Sequence, residues 1–200
     1  MMSDGSVRFR SASTVLVVCA SLVCAKSAFG QTRPVLPAVF QSHVNIQITT
    51  GTGADAETVE GAGEMIFNQP AGQAREFYAF EGGLPTERIT RYDLGKIFTK
   101  EPPRCDVEEV TGEMDPFFGW VANSKMGAGD EVNGITGTTW VSTGTAPAPT
   151  LTLLATNDGT TPLYYQEATT ERTVRIVFLT WQTTFKQLPN LFKPPINCPR

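Results

Sequence analysis

Residues Thr173 to Phe185 read TVRIVFLTWQTTF. In extended backbone, successive side chains point to opposite faces. Val174, Ile176, Phe178 and Thr180 then face one way, and Arg175, Val177, Leu179 and Trp181 the other. Both faces are apolar at the centre. Leaving such side chains in water forfeits roughly 1.5–3 kcal/mol each. Something must therefore cover both sides of this strand, or one side must line a cavity. Arg175 opens the second face toward solvent at one end, as the mouth of a pocket would.

The rest of the chain repeats the two-residue period. Val39 to Thr50 (VFQSHVNIQITT) alternates, with Val44, Ile46 and Ile48 on one face. Thr58 to Phe67 is a weaker strand, with Gly61 and Gly63 at a bulge or a close approach. Further strands are expected at Ala74 to Phe80, Glu87 to Tyr92, Lys96 to Thr99 and Arg104 to Val110. Glu131 to Ser142 reads as a strand interrupted by Gly134 and Gly137, followed by Leu151 to Thr156 and Leu163 to Ala168. Asp158-Gly159, between the last two, is a hairpin signal. One short helix is expected after Asp115. That residue would be the N-cap and Pro116 the first helical position, with Phe117, Trp120 and Val121 on one face. The tail QLPNLFKPPINCP is Pro-rich and expected to be extended or irregular. Turn signals recur about every 8–15 residues, and no 3.6-residue period runs far. The fold class is therefore mainly β: antiparallel sheets forming a sandwich or half-open barrel around an apolar core or pocket.

Composition removes several functions. The 200-residue chain has a net charge of −4 and one His. No positive surplus exists to displace counterions from phosphates, so no nucleic-acid partner is expected. A single His excludes a multi-histidine metal centre, no Asp-x-Asp-x-Asp-Gly calcium loop occurs, and no metal or other cofactor is expected.

Residues 1–30 read as a signal peptide, leaving 31–200 as a single antiparallel β domain. Arg8 and Arg10 give a positive start, and Thr14 to Ala25 an apolar run. Ala28-Phe29-Gly30 places small residues at −3 and −1, which sets cleavage before Gln31, with cleavage after Ala25 as the alternative. The apolar run is short of the roughly 20 residues that span a bilayer, so no membrane span is expected. The chain reads as secreted or lumenal, the lysosome included. Losing Arg8, Arg10, Lys26 and Asp4 takes the net charge from −4 to −6. Cys19 and Cys24 are lost too, and Cys105 and Cys198 remain to form one disulfide in an oxidising compartment. No Asn-x-Ser/Thr sequon is present.

Catalytic patterns are weak. The stretch GTGADAETVEGAG (51–63) has no Gly-Lys-Ser/Thr and leads into a strand, so it is a hairpin connection and not a phosphate cradle. Glu101, Asp106, Glu108, Glu109, Glu113 and Asp115 are either a solvated charge run or dispersed acid–base groups of a hydrolase. His43 has no Gly-x-Ser-x-Gly partner, and no nucleophile motif surrounds either remaining Cys. The aromatics are spread over nearly every strand and either fill an ordinary core or line a ligand pocket. For the pocket reading, Phe80, Trp140, Val177, Leu179 and Trp181 are the candidate lining residues.

Several stretches together carry a family resemblance. They are Tyr92-Asp93-Leu94 ahead of Cys105, then Gly137-Thr-Thr-Trp140, then Gly159-Thr-Thr-Pro162-Leu163-Tyr164-Tyr165 feeding the late strand. The chain resembles ependymin-related secreted proteins and, more loosely, the LolA-like lipoprotein carriers. The resemblance implies two stacked antiparallel sheets bent around a deep hydrophobic pocket, and binding of a lipid or other hydrophobic small molecule without catalysis. The alternative is an extracellular protein-interaction or structural module with a filled core.

Intact mass of the secreted protein is expected to show a chain beginning at Gln31, with no thiol alkylatable before reduction. A retained N-terminus or two free thiols would overturn this reading of the sequence.

Overall fold

The computed structural model of the protein describes residues 32–145, 147–186 and 190–198. The expected signal peptide and its cleavage point lie outside the described residues. The strands are β1 (Val39–Thr50), β2 (Glu57–Asn68), β3 (Gln73–Phe80), β4 (Thr86–Arg91), β5 (Lys96–Glu101), β6 (Arg104–Glu109), β7 (Lys125–Val132), β8 (Ile135–Thr143), β9 (Thr150–Thr156), β10 (Pro162–Ala168) and β11 (Arg172–Phe178). They form one antiparallel sheet in the order β6-β5-β4-β3-β2-β1-β11-β10-β9-β8-β7. Two meanders thus meet at the β1–β11 pair, where Val44 faces Phe178 and Ile46 faces Ile176. β6 and β7 are consecutive in sequence, yet they are the two edges. The sheet is open and bends around its inner face as a half-open barrel. One buried cluster joins Ala74 on β3 to Trp140 on β8, although five strands separate them.

The inner face is a run of cross-strand rows. One row passes through Phe80, Gly61, Ile46, Ile176, Tyr165, Leu153 and Trp140. The glycines in β2 stand at a close approach and not at a bulge, because the β2–β3 register is unbroken. A Cβ on Gly61 would lie 2.7 Å from the Ala79 carbonyl oxygen and 2.8 Å from the Phe80 ring. On Gly63 it would strike the Phe77 carbonyl oxygen. The rings of Phe80 and Tyr78 therefore cover bare backbone, and the sheet can curl there.

The connection between β6 and β7 crosses the inner face. Gln69 Nε2 donates to the Met114 carbonyl at 2.9 Å, and Met114, Phe118 and Val121 are buried. The helix expected after Asp115 is instead a short 3₁₀ turn, Gly119–Asn123. Its Asp115 is exposed and caps nothing. Phe118 and Val121 face inward together, at the i, i+3 spacing of a three-residue turn. Phe40 is the hub of the packing, with ring centroids 4.6 Å from Trp181, 4.9 Å from Phe67, and 5.9 Å from both Phe117 and Phe118.

Two strands differ from the sequence reading by more than two residues at an end. Glu131 to Ser142 is not one strand, because Asn133 (φ 53°) and Gly134 (φ 77°) make a two-residue turn between β7 and β8. Positive φ at both positions is the turn that matches strand twist. β11 ends at Phe178, short of Phe185. Beyond it, Gln41 bridges Gln182, which is one residue out of step with the Val44–Phe178 register. A one-residue slip turns every later side chain to the other face. Trp181 therefore does not share a face with Val177; it stacks on Phe40 and meets Phe178 edge-on on the inner side.

The outer face is covered differently at its two ends. Leu154, Leu163 and Tyr164 bury one another there, with Val132 and Val177 against them. Arg175 stacks over the Tyr164 ring at 4.1 Å. At the other end lies the row Ile66, Arg75, Ile89, Phe98 and Val107. Across this end runs the C-terminal tail. Arg91 Nη1 donates to the Phe192 carbonyl (2.9 Å), and Lys100 Nζ to that of Ile196 (3.3 Å). Cys105 and Cys198 form the expected disulfide, with Cα atoms 5.2 Å apart across 93 residues of chain. Closing a loop that long contributes about 4–5 kcal/mol in the chain-entropy view.

One polar pair sits among the inner side chains. The Tyr78 hydroxyl donates to Glu76 Oε1 at 3.1 Å. Burial pushes the Glu76 carboxyl above the usual carboxylate range, against the opposing pull of Arg88 and the Tyr78 hydrogen bond. A carboxyl raised in the fold disfavours its own charge. The stability linked to it is complete below the unfolded value near 4.3 and declines as pH rises through the folded one.

Two outcomes follow from the packing. Phe40→Ala is expected to lower unfolding free energy by about 3–5 kcal/mol in denaturant titration, whereas Leu179→Ala, at an exposed site, stays within about 0.5 kcal/mol. Comparable losses at the two positions would contradict the packing described. Glu76→Gln keeps an acceptor for Tyr78 and removes the charge. It should raise the melting temperature at pH 8 and leave it unchanged at pH 3.5, and a drop at pH 8 would contradict the assignment.

Candidate ligand-binding face

The inner face has a closed end and an open end. At the closed end the 110–124 connection lies over Phe40, Phe67 and Phe178. The N-terminal segment fastens it, because the Arg33 guanidinium donates to the carbonyls of Ala122 and Ser124 (2.8 Å for the latter). The same guanidinium lies 5.7 Å from the Trp140 ring centroid. At the open end the next cross-strand row is Val59, Ile48, Val174, Glu167 and Leu151. Ile48, Val174 and Leu151 are only half-buried there, and Val59 is 46% exposed. Phe80 borders this row and is half-buried too. A strip across five strands, apolar on four of them and with one carboxylate on β10, thus lies beside a fully packed core.

Polar groups on this face are few. The Tyr165 hydroxyl donates to Glu167 Oε2 at 3.1 Å, and burial together with that carboxylate holds its ionisation well above the usual tyrosine range. Trp120 lies 6.3 Å from the Tyr165 ring. The indole N–H groups of Trp120 and Trp181 are both buried without an acceptor. A buried donor left unpaired costs roughly 1–3 kcal/mol, so each is a place where an incoming oxygen would be held.

The structure separates the five residues proposed from sequence. Phe80, Trp140 and Trp181 are on the inner side, at the open end, in the floor and in the plug respectively. Val177 is on the outer face, in a polar-walled groove of about 500 Å³ with Asn45, Gln47, Glu60 and Arg175. Leu179 follows the end of β11, 49% exposed and with its N–H on the His43 carbonyl. Ile48, Val59 and Val174 line the open end, and none of the three is among those five. Their signal was present in the parity of β2, where Val59 shares a face with Gly61, Gly63, Met65 and Phe67.

The acidic run is spread from the end of β5 along the β6 edge and the loop after it, and all six of its carboxylate residues are exposed. Among the described residues no three His, Cys, Asp or Glu side chains gather as metal ligands, and no helix is long and apolar enough to cross a membrane.

No protein-family model matches the chain, and no curated protein matches it. Among solved structures it is similar to the lipoprotein LppX of Mycobacterium tuberculosis, at 11% identity over 73% of this chain and 88% of that one, with a TM-score of 0.43. It is similar also to LprF from Mycobacterium bovis (16% identity, 78% and 90% covered, TM-score 0.42). A LolA superfamily protein from Nitrosomonas europaea gives 6% identity, 80% and 92% covered, and a TM-score of 0.37. The LolA-like half of the sequence resemblance has a counterpart here, while the ependymin half has none among these three. At such identities and scores the likeness assigns neither a family nor a function.

Proposed function

We propose that the protein is a secreted or lumenal, non-catalytic binder of a lipid or similar apolar molecule, held at the open end of the inner face. The observation that carries this reading is the half-exposed row Val59, Ile48, Val174 and Leu151 beside the closed core. Apolar surface removed from water stabilises a complex by roughly 25 cal/mol per Å². A ligand chain laid along this row would extend the core by one layer. The unpaired indole N–H of Trp120, beside Tyr165, fits a ligand that also carries an acceptor oxygen, such as an ester or hydroxyl.

A protein-interaction module is the second reading, and the two free edges favour it. Both edges carry features that oppose strand addition. β6 presents Arg104, Asp106, Glu108 and Glu109, while β7 is irregular between Met126 and Gly129 and carries Lys125, Asp130 and Glu131. Charges and bulges are how proteins blunt sheet edges. The open apolar row is the better-supported site.

N-phenyl-1-naphthylamine, an uncharged fluorescent probe, tests the proposal. The folded protein should enhance its emission saturably, and Val59→Asp should weaken binding by about tenfold or more while circular dichroism stays unchanged. Met126→Asp, at an exposed position on β7, should bind as the wild type does. No enhancement by wild type, together with concentration-dependent self-association, would replace the carrier with the interaction module.

A further inference from the structure

The C-terminal tail makes a second concavity, on the opposite side of the sheet from the inner face. It is a groove of about 830 Å³ between β5 and residues 193–198. That volume is within the few hundred to 1,000 Å³ of small-molecule sites. Its floor is Phe98, 3% exposed, and one wall is the Pro194-Pro195 segment. Leu94 (51% exposed) and Ile196 (79% exposed) stand at its sides. Lys96 and Lys193 also line it, and neither forms an ion pair among the described residues.

Each of these features narrows the occupant. Exposed Leu and Ile beside a buried Phe ask for an apolar chain. Two unpaired ammonium groups ask for an anion, on a protein whose net charge is negative. The wall is stiff, because proline fixes φ and the Cys105–Cys198 bond holds the tail's end to β6. A groove held open before binding avoids much of the ordering entropy of association. We infer that the groove between β5 and the disulfide-tethered tail binds a single-chain amphiphilic anion of the fatty-acid type. Its alkyl chain lies on Phe98, Leu94 and Ile196, and its carboxylate is between Lys96 and Lys193.

This site is independent of the inner face, and the test keeps them apart. The probe is 11-(dansylamino)undecanoate, with the uncharged 11-(dansylamino)undecanol as comparator. Wild type should bind the carboxylate probe at least about tenfold tighter than the alcohol. Lys96→Glu, at a half-buried position, combined with Lys193→Glu, at an exposed one, should lower affinity for the carboxylate by about tenfold or more. The same pair should leave N-phenyl-1-naphthylamine binding intact. Val59→Asp should do the reverse. Leu94→Asp gives a second check without touching the lysines and should also weaken the carboxylate probe. Equal affinity for the two dansyl probes, or a double variant that binds the carboxylate as wild type does, would overturn the proposal. So would loss of carboxylate binding in Val59→Asp alone, which would place the probe on the inner face.

Discussion

The β1–β11 ladder is the constraint on which the rest of the structure depends. It pairs Val44 with Phe178, Ile46 with Ile176 and Ile48 with Val174, joining the two ends of the chain's run of strands. Without it the chain holds two separate meanders, each with an unprotected inner face. Bringing such distant residues together has a loop-closure cost that grows only slowly with length. The large return is the inner core that the joined sheet encloses, in which Phe40, Val44, Ile176 and Phe178 belong to one cluster. The pairing and the core are therefore one cooperative event.

An open sheet of this width has two faces to keep from water, and it does so with segments that are not strands. On the inner side the covering piece is the β6–β7 connection, made of aromatic side chains and tied down by Arg33 and Gln69. On the outer side it is the tail, which uses backbone carbonyls as hydrogen-bond acceptors and one covalent bond. Neither segment covers its face completely. What is left uncovered on the inside is an apolar strip with the Glu167 carboxylate in it, and beside the tail on the outside it is apolar with two ammonium groups. The two sides therefore offer different chemistry to a ligand.

Much of the fold was legible because its pattern is local. Alternation marks β1 at its observed limits, and the paired glycines of β2 point to a bulge or a close approach, of which the structure has the second. Apart from the 3₁₀ turn at Gly119–Asn123, which a helical spacing of aromatics does not distinguish from a helix, the differences come from a single residue's worth of geometry. Gly134 and Gly137 look in sequence like interruptions of one strand, although Asn133-Gly134 is a hairpin turn in its own right. The extra residue after Phe178 moves Trp181 across the sheet, and no local pattern marks it, since it arises from how Gln41 and Gln182 pair. The candidate site suffered more for this reason. Val177, Leu179 and Trp181 share a parity in sequence but not a face in space. The groove under the tail could not be read at all, because Leu94 and Ile196 are brought together only by the disulfide and the carbonyl contacts around it.

The tail also sets an order of events. Among the described residues Cys198 follows every strand, and Cys105 sits on an edge strand whose partner sulfur is 93 residues away. During synthesis from the N-terminus, β1 to β6 emerge before either β11 or the tail exists. The inner face of that first meander has no partner until β11 arrives, and its outer face has no cover until the tail does. The disulfide therefore acts as a completion mark. It joins a segment made early to one made after all eleven strands, and a chain stalled or cut anywhere before Cys198 cannot acquire it.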